Sequence, residues 1–410
     1  MSTTEAPAEV PETAEPDSGA AEPVEPDRRK PMMRRIVVVL APALIYLSIR
    51  QLGLLFASWL ARENKTPLGD ALTSWDGQWF LGIAAGGYDH APASLADAYG
   101  NRLPETPLAF FPGYPMLVRG LASIDGPNGL FSLVTSAFVI TIAFGIVAAY
   151  GLARLGASIR GGSQYTGWIL VALFAASPMA IVLSMTYSEA MFCAFAVWAL
   201  VGVVERKWWL AGLCCGLAGF VRPTGIALLF AVGLAVAVAL IKRRESWRPL
   251  LAGLIAPVGL VAYLGWVASR TGRWDGWFAL QQRGWDSGFD GGAATWKFSI
   301  EALTTGRSVL EVATVGVIVS ALVLLLIGFR MRLEWPLLAY AIGVLVMDLG
   351  ANGLMNSKAR LLLPAFTLLI PIAVALAKRR PTTVLGVLAA AAVTSAWIGA
   401  YAITSWGYAI

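Results

Sequence analysis

Eleven apolar runs alternate with short polar segments along the chain. A helix needs about 20 apolar residues to cross the hydrocarbon core of a bilayer, so most of these runs are long enough to span it. The runs at 189–204 and 208–221 are shorter, and Arg222-Pro223 interrupts the sequence after the second, a pattern typical of half-helices or short tilted helices. We predict an all-α polytopic membrane protein with about eleven transmembrane helices. The runs cover residues 36–60, 130–153, 167–184, 189–204, 208–221, 223–241, 249–268, 309–329, 335–351, 361–377 and 382–404.

Composition supports this class and excludes others. Hydrophobic residues make up 57% of the chain, charged residues 14%, and the mean hydropathy is +0.67. Soluble domains average about 25% charged residues, so this chain lacks the polar surface of a soluble protein. The net charge of +6 does not indicate a nucleic-acid partner, because the basic residues form short clusters between apolar runs. The expected surroundings are a lipid bilayer.

The first 35 residues differ from the rest of the chain. Residues 1–27 hold eight acids, no base and five prolines, and then Arg28 opens a basic cluster that ends at Arg35. Such an acidic, apolar-poor segment is expected to be disordered, and its charge is the opposite of a signal peptide's. We therefore predict a cytoplasmic tail over 1–35 and one multi-spanning domain over 36–410.

The distribution of basic residues predicts the orientation. With alternating spans, 18 of the 31 Lys and Arg residues fall in the tail and short loops on its side, 12 fall on the other side, and Arg50 lies within the first span. This bias obeys the positive-inside rule and places the amino terminus in the cytoplasm. Two long loops, about 61–129 and 269–308, then lie outside, and long loops of this kind are usually functional.

The first outer loop carries a candidate base. Trp75, Trp79 and Ile83 recur every four residues, which predicts a short helix at the membrane surface with Asp76 in its first turn. Two interpretations of Asp76 stay open. Ser74 caps the helix and Asp76 complements its dipole, or Asp76 is a general base at the depth of a lipid headgroup. Trp-Asp-Gly recurs at 274–276, which is too short a match to indicate a duplication.

Further charged residues lie at predicted outer turns. Glu189 is either exposed in a turn or points inward and binds a sugar hydroxyl. Arg222 interrupts apolar sequence, where a charge is costly, so it must face an outer turn or an anion, and a phosphate would suit its planar fork. Lys358 and Arg360 end another outer turn and can bind the same anion together with Arg222. Asp348, near the outer end of a span, is a candidate partner for one of these cations.

No cofactor site is expected. His90 is the only histidine, and Cys193, Cys214 and Cys215 lie in apolar runs without metal-ligand spacing. The chain also has no Asp-x-Asp pair to hold the metal of a nucleotide-diphosphate sugar.

Several motifs occur in the order found in one enzyme family. Over about residues 34–377 the chain resembles PIG-V-type mannosyltransferases of the GT-C class, which are multi-spanning and use a polyprenyl-phosphate sugar as donor. One departure is Gln78, where many members carry His, so an auxiliary proton-transfer role is not expected there. The motifs are Trp75 to Ala84 with Gly86-Gly87-Tyr88, Phe110 to Pro115, Tyr187 to Ala190, Arg222 to Gly225 and Arg360 to Pro364.

The resemblance implies a function and a set of roles. Asp76 is then the catalytic carboxylate, and Arg222, Lys358 and Arg360 are expected to hold the donor phosphate without a metal. The remaining candidates are expected to contact substrate, namely Trp75, Gln78, Tyr114, Tyr187 and Glu189. The implied enzyme is an inverting, GT-C-like glycosyltransferase. It moves mannose from a polyprenyl phosphate to a hydroxyl of a glycan, glycolipid or protein on the outer face of a bacterial cell membrane.

Two other functions fit part of this pattern. A transporter or flippase of lipid-linked sugars needs similar aromatic and basic residues but no base, and it often has repeated halves and a midplane charge, which are not evident here. A non-catalytic subunit that assembles envelope enzymes would tolerate loss of Asp76.

The predicted orientation can be tested by labelling. Cysteines introduced by Asn101→Cys and Gly288→Cys should react with a membrane-impermeant thiol reagent in sealed cells, and one introduced by Glu245→Cys should react only after permeabilisation. Labelling of the Glu245→Cys variant from outside would reverse the orientation.

Overall fold

The computed structural model describes residues 1–3, 29–124, 131–242, 245–305, 308–353 and 355–408. Within these ranges the chain is helical, and its only extended pairing is an isolated bridge between Phe289 and Ala351. The prediction of an all-α fold is confirmed. The predicted acidic tail lies almost wholly outside the described residues.

Eighteen α-helices follow one another in the described parts of the chain. Short 3₁₀ turns at Thr106–Ala109, Ala180–Ser184, Met355–Ser357 and Phe366–Leu369 lie between some of them. The helices are α1 Arg29–Glu63, α2 Leu68–Thr73, α3 Asp76–Gly86, α4 Gly113–Ala122, α5 Leu133–Ser158, α6 Gln164–Ala175, α7 Glu189–Val204, α8 Trp208–Ala218, α9 Gly225–Ile241, α10 Arg248–Ile255, α11 Val258–Thr271, α12 Gly276–Trp285, α13 Ala293–Thr305, α14 Val309–Arg330, α15 Trp335–Leu349, α16 Lys358–Leu361, α17 Ile370–Leu376 and α18 Pro381–Thr404.

All eleven predicted apolar runs contain helix, but the helices differ in length. Five stretches are long and apolar enough to cross a membrane by themselves, at Ile36–Glu63, Leu133–Ser158, Arg248–Thr271, Val309–Arg330 and Pro381–Thr404. The pair Met355–Leu361 and Phe366–Leu376 forms a sixth candidate, bent by 66°. α6, α7, α8, α9 and α15 are apolar but shorter. The number of complete membrane crossings therefore stays a prediction.

The chain divides into a unit Met1–Leu40 and a unit Ala41–Ile410. Within the second unit, α7 lies at the centre, with most of its residues buried. A helix that is apolar on all sides needs such an environment. Small residues allow close helix packing nearby: a Cβ on Gly167 of α6 would overlap the carbonyl oxygen of Ala153 in α5.

The two ends of α7 carry different ion pairs. Beyond its C-terminus, Glu205 pairs with Arg154 and with Lys207, the latter at 2.8 Å. Glu189, its first residue, pairs with Arg222. Residues from predicted cytoplasmic loops thus meet at one end of α7 and residues from predicted outer turns at the other. This arrangement supports the predicted alternation of segments around α7.

In their described parts, the two predicted outer segments contain helices rather than extended loops. The first contains α2, α3 and α4, and the second contains α12 and α13. Trp277 and Gln281 of α12 donate hydrogen bonds of 3.2 and 3.1 Å to the carbonyl oxygen of Ala109, which joins the two segments. The helix predicted at Asp76 is confirmed. Its aromatic face was expected to contact lipid, but Trp79 and Ile83 are 5% and 0% exposed and pack inside the protein.

Candidate active site

A strained turn presents Asp76. Trp75 adopts a left-handed backbone with φ of 51°, which is unfavourable for a bulky residue, and α3 begins at Asp76. The expectation that Ser74 caps this helix is wrong, because its hydroxyl donates to the carbonyl oxygen of Ala71 at 2.8 Å. The Tyr187 hydroxyl donates to the carbonyl oxygen of Ser74 at 3.3 Å and thereby ties the turn to the segment before α7.

Gly77 allows this turn to lie against the same segment. A Cβ on Gly77 would overlap the hydroxyl oxygen of Thr186. The Thr186 amide donates to the carbonyl oxygen of Leu72 at 3.1 Å, so the backbones meet on both sides of Asp76. The first Trp-Asp-Gly motif therefore has a local explanation. Its glycine leaves room for the Thr186 side chain, and its aspartate is the first residue of α3.

Four charged side chains form a buried network. Arg360 Nη1 lies 2.6 Å from Asp76 Oδ2, and Arg360 Nε lies 3.7 Å from Glu189 Oε1. Arg222 Nη1 lies 2.8 Å from the same Glu189 oxygen and donates to Ser188 Oγ at 3.1 Å. The guanidinium of Arg360 also lies over the Tyr187 ring at 5.3 Å. Glu189 is fully buried, whereas the Asp76 side chain stays 28% exposed.

Lys358 is held differently from the two arginines. Its ammonium donates to the main-chain oxygen of Asp348 and, at 2.7 Å, to that of Ala351. Of the three predicted phosphate-binding cations, it alone has no ion pair among the described residues. Two carbonyl groups position this charge without neutralising it.

A cavity of about 830 Å³ connects these groups. Its wall brings together Asp76, Arg222, Lys358 and Arg360, as the sequence predicted for one site. The rest of the wall is formed by aromatic and polar side chains of α12 and of the segment between the 3₁₀ turn Thr106–Ala109 and α4. Other lining residues include Phe80, Phe110, Phe111, Ser188, Arg273, Asp275, Trp277, Gln281, Trp285, Asp348 and Asn352.

The five predicted substrate-contacting residues are absent from this wall. Gln78 is exposed elsewhere on α3, and Trp75 packs partly against the core. Tyr114 is fully buried and donates to the carbonyl oxygen of Ala137 at 3.0 Å. Tyr187 and Glu189 lie directly behind the wall, where they contact Arg360. In this conformation Tyr187 and Glu189 support the site rather than line it.

Sequence reasoning missed the contribution of α12. Trp277, Gln281 and Trp285 line the cavity, and the Trp285 ring packs edge-on against Phe110 at 5.7 Å. The second Trp-Asp-Gly motif, at 274–276, was the sequence feature that could have indicated that this segment belongs to the site. Its Asp275 is paired with Arg273 at 2.9 Å, and the Arg273 hydrogen bond lowers the pKa of this exposed carboxyl. Among the described residues, no three His, Cys, Asp or Glu side chains are grouped as metal ligands.

Comparison with known sequences identifies the family. The profile of glycosyltransferase family 87 matches residues 103–351, more than half of the chain. The chain belongs to glycosyltransferase family 87. The matched range contains Glu189, Arg222 and Asp348, whereas Asp76 precedes it and Lys358 and Arg360 follow it.

Curated relatives confirm the resemblance to PIG-V-type mannosyltransferases. The GPI alpha-1,6-mannosyltransferase 2 of Cricetulus griseus is 34% identical over 161 residues, which are 38% of this chain and 29% of that protein. A Mycobacterium tuberculosis relative, a polyprenol-phosphate-mannose-dependent alpha-(1-2)-phosphatidylinositol pentamannoside mannosyltransferase, is 28% identical over 157 residues. These are 36% of this chain and 34% of the relative. The family 87 chain thus spans about a third of the length of these curated relatives.

One solved structure is similar in part. The oligosaccharyltransferase of Archaeoglobus fulgidus is 17% identical, with a TM-score of 0.48, over 90% of this chain and 53% of that one.

The network predicts that Glu189 is needed for stability. Glu189→Gln leaves Arg222 and Arg360 buried with less compensation, and breaking a buried ion pair costs about 3–5 kcal/mol. We expect a clearly lower melting temperature of the detergent-solubilised protein. Asp275→Asn removes a pair that is exposed, and such pairs contribute little, so it should leave the melting temperature nearly unchanged. Equal melting temperatures for both variants would contradict the importance of the Glu189 pairs.

Proposed function

We propose that this family 87 protein is an inverting mannosyltransferase. It takes mannose from a polyprenyl phosphate on the non-cytoplasmic face of a bacterial cell membrane and transfers it to a hydroxyl of an envelope glycan, glycolipid or protein. The observation that carries the proposal is the partly exposed Asp76 carboxylate, held by Arg360 on the wall of a cavity that also contains Arg222 and Lys358. The names of the mammalian and mycobacterial relatives support mannose, and the mycobacterial name supports the donor class.

In this proposal Asp76 is the general base. Arg360 holds one carboxylate oxygen, which leaves the other to accept the proton of the acceptor hydroxyl. The hydroxyl oxygen attacks the anomeric carbon while the bond from that carbon to the phosphate oxygen breaks, and polyprenyl phosphate leaves with the electron pair. A single displacement inverts the anomeric centre, so a β-linked donor gives an α-mannoside. Arg360, predicted to bind phosphate, is assigned here to positioning the base.

Glu189 supports this step from behind. When Asp76 becomes protonated, Arg360 loses the charge of its closest partner, but Glu189 remains 3.7 Å from its Nε. The buried guanidinium therefore keeps a counter-ion throughout the reaction, and a buried cation without one would be costly. The fully buried position of Glu189 suits this role better than contact with a sugar.

Lys358 is the best candidate for the leaving phosphate. Its charge is positioned by two carbonyl groups and is not neutralised by a carboxylate, so it can stabilise the negative charge that develops on the phosphate. Arg222 lines the same cavity and can add a second contact, although Glu189 already shares its charge. In this proposal these residues hold the phosphate without a metal ion.

The prenyl chain of the donor would fit an apolar cavity beside this site. A second cavity of about 420 Å³ is lined mainly by apolar residues of α14 and of the segment 362–369 after α16. Lys358 and Arg360 of α16 line the first cavity, whereas Ala359 and Leu362 line the second. A lipid phosphate with its charge at Lys358 and its tail in the second cavity would occupy both sides of this short helix.

The role of Asp76 can be tested directly. Asp76→Asn keeps the volume of the side chain, but its amide cannot accept a proton, so sugar transfer should fall by about 10² or more. Transfer of radiolabelled mannose from polyprenyl phosphate is measured in membranes of a deletion strain that expresses each variant. Asp275→Asn lies in the matching Trp-Asp-Gly motif on the same cavity and should retain most activity. Equal losses in the two variants, or an active Asp76→Asn protein, would refute the assignment.

A second test concerns the phosphate. Lys358→Gln removes the uncompensated charge, so the KM for the polyprenyl-phosphate donor should rise and kcat should fall, together by about tenfold or more in kcat/KM. Lys297→Gln changes an exposed lysine of α13 and should have no effect. An unchanged kcat/KM in Lys358→Gln would assign the phosphate contact to another group.

A further inference from the structure

The Asp348 carboxylate is the one strongly buried acidic group of the cavity that has no partner. It lies near the C-terminus of α15, is 6% exposed and lines the cavity. Among the described residues, neither of its oxygens has a hydrogen bond or an ion pair. By contrast, Asp76 accepts a hydrogen bond from Arg360, and Glu189, whose oxygens also accept no hydrogen bond, lies within ion-pair distance of Arg222 and Arg360. A buried polar group without a partner costs free energy and requires an explanation.

Stabilisation of the fold does not explain Asp348. The negative end of the α15 dipole lies at its C-terminus, where a carboxylate is unfavourable. Lys358 does not pair with the Asp348 side chain and donates instead to its main-chain oxygen. Among the described residues, neither Lys358 nor Arg360 forms an ion pair with the Asp348 carboxylate. The side chain therefore keeps its full capacity to accept hydrogen bonds from a ligand.

The chemistry of the site selects the ligand. Carboxyl oxygens accept hydrogen bonds from hydroxyl groups, whereas the oxygens of a phosphate are themselves acceptors and are poor partners for them. Because Lys358, the proposed phosphate contact, is bound to the main-chain oxygen of Asp348, this carboxylate lies beside the phosphate position. The group covalently attached to the donor phosphate is the hexose. We propose that Asp348 binds one or two hydroxyl groups of the transferred hexose and so helps to select the donor sugar.

This assignment rests on the proposed function and extends it to sugar specificity. Asp348 acts in it as a specificity-determining residue, whereas Asp76 acts on the reacting acceptor hydroxyl. A hydroxyl that bonds to this buried carboxyl group satisfies oxygens that otherwise have no partner, so a missing hydroxyl should be costly. A site built to bind a hydroxyl rejects the analogue that lacks it.

The experiment measures donor binding by the purified full-length protein with isothermal titration calorimetry. The probes are farnesyl-phosphoryl-β-mannose, its four monodeoxy analogues and farnesyl phosphate. In the wild type, one or two of the deoxy analogues should bind about tenfold weaker or worse than the parent. In Asp348→Ala, the parent should bind about tenfold weaker, and the penalty for those same analogues should fall to about twofold or less. Glu301→Gln, which changes an exposed acidic residue of α13 away from the cavity, should retain every wild-type penalty.

Two further measurements separate sugar binding from a structural role. Farnesyl phosphate should bind Asp348→Asn as well as the wild type, because the phosphate contacts remain. The ligand-free melting temperature of Asp348→Asn should equal or exceed that of the wild type, since the Asp348 side chain has no hydrogen bond among the described residues that the substitution could break. A lower melting temperature together with weaker binding of every probe would make Asp348 a structural residue and overturn the proposal.

Three other outcomes would contradict the assignment of Asp348. If Asp348→Ala keeps all deoxy penalties, the donor sugar does not contact this residue, and the Asp348 assignment fails while the proposed function stands. The same holds if donor binding is unchanged and only transfer falls, which would place an acceptor hydroxyl at Asp348. If the wild type binds neither farnesyl phosphate nor its mannoside, the proposed function fails and the role of Asp348 fails with it.

Discussion

The ion pairs around Glu189 connect the elements on which the site depends. Glu189 begins α7, Arg222 belongs to the turn between α8 and α9, and Arg360 belongs to α16. Arg360 extends the connection to Asp76 at the start of α3. Removing charges from water costs several kcal/mol per ion, so each group is tolerated only while its partners stay in place. A change in one of these helix ends therefore has to affect the position of the other three.

This dependence explains why residues behind the cavity are as necessary as those that line it. Tyr187 contacts the Arg360 guanidinium with its ring and the Ser74 carbonyl oxygen with its hydroxyl. Gly77 permits the close approach of α3 to Thr186. The strained Trp75 backbone is maintained by these surroundings, because an isolated turn would relax from it. The Asp76 carboxylate is thus fixed before any substrate arrives, which is what a general base requires.

The short helix α16 separates the cavity that contains the charged residues from the second, apolar cavity. In a helix, neighbouring residues point in different directions, so Lys358 and Arg360 reach one cavity while Ala359 reaches the other. The proposed donor has a charged head, a sugar and an apolar chain, and the two cavities offer each part a suitable environment. Asp348, which is next to Lys358 and has no hydrogen-bond partner among the described residues, would give the sugar its own contact in the proposed arrangement.

The sequence by itself determined the fold class, the eleven apolar segments that contain helix and four of the charged residues that line the cavity. These features follow from local chemistry: apolar runs must be helical in a bilayer, and charged residues in such a chain need a functional or paired position. Asp76, Arg222, Lys358 and Arg360 were therefore found from their neighbours in the chain. The family resemblance to mannosyltransferases also came from short motifs alone.

Only the tertiary structure decided how these residues are paired. Arg360 is 284 positions from Asp76, and no local pattern shows that it holds the carboxylate rather than a phosphate. The aromatic face of α3 was expected in lipid but packs in the protein, because periodicity shows that a face is apolar without showing what covers it. The contribution of α12 and the unpartnered state of Asp348 likewise depend on contacts between distant segments, which the order of residues does not contain.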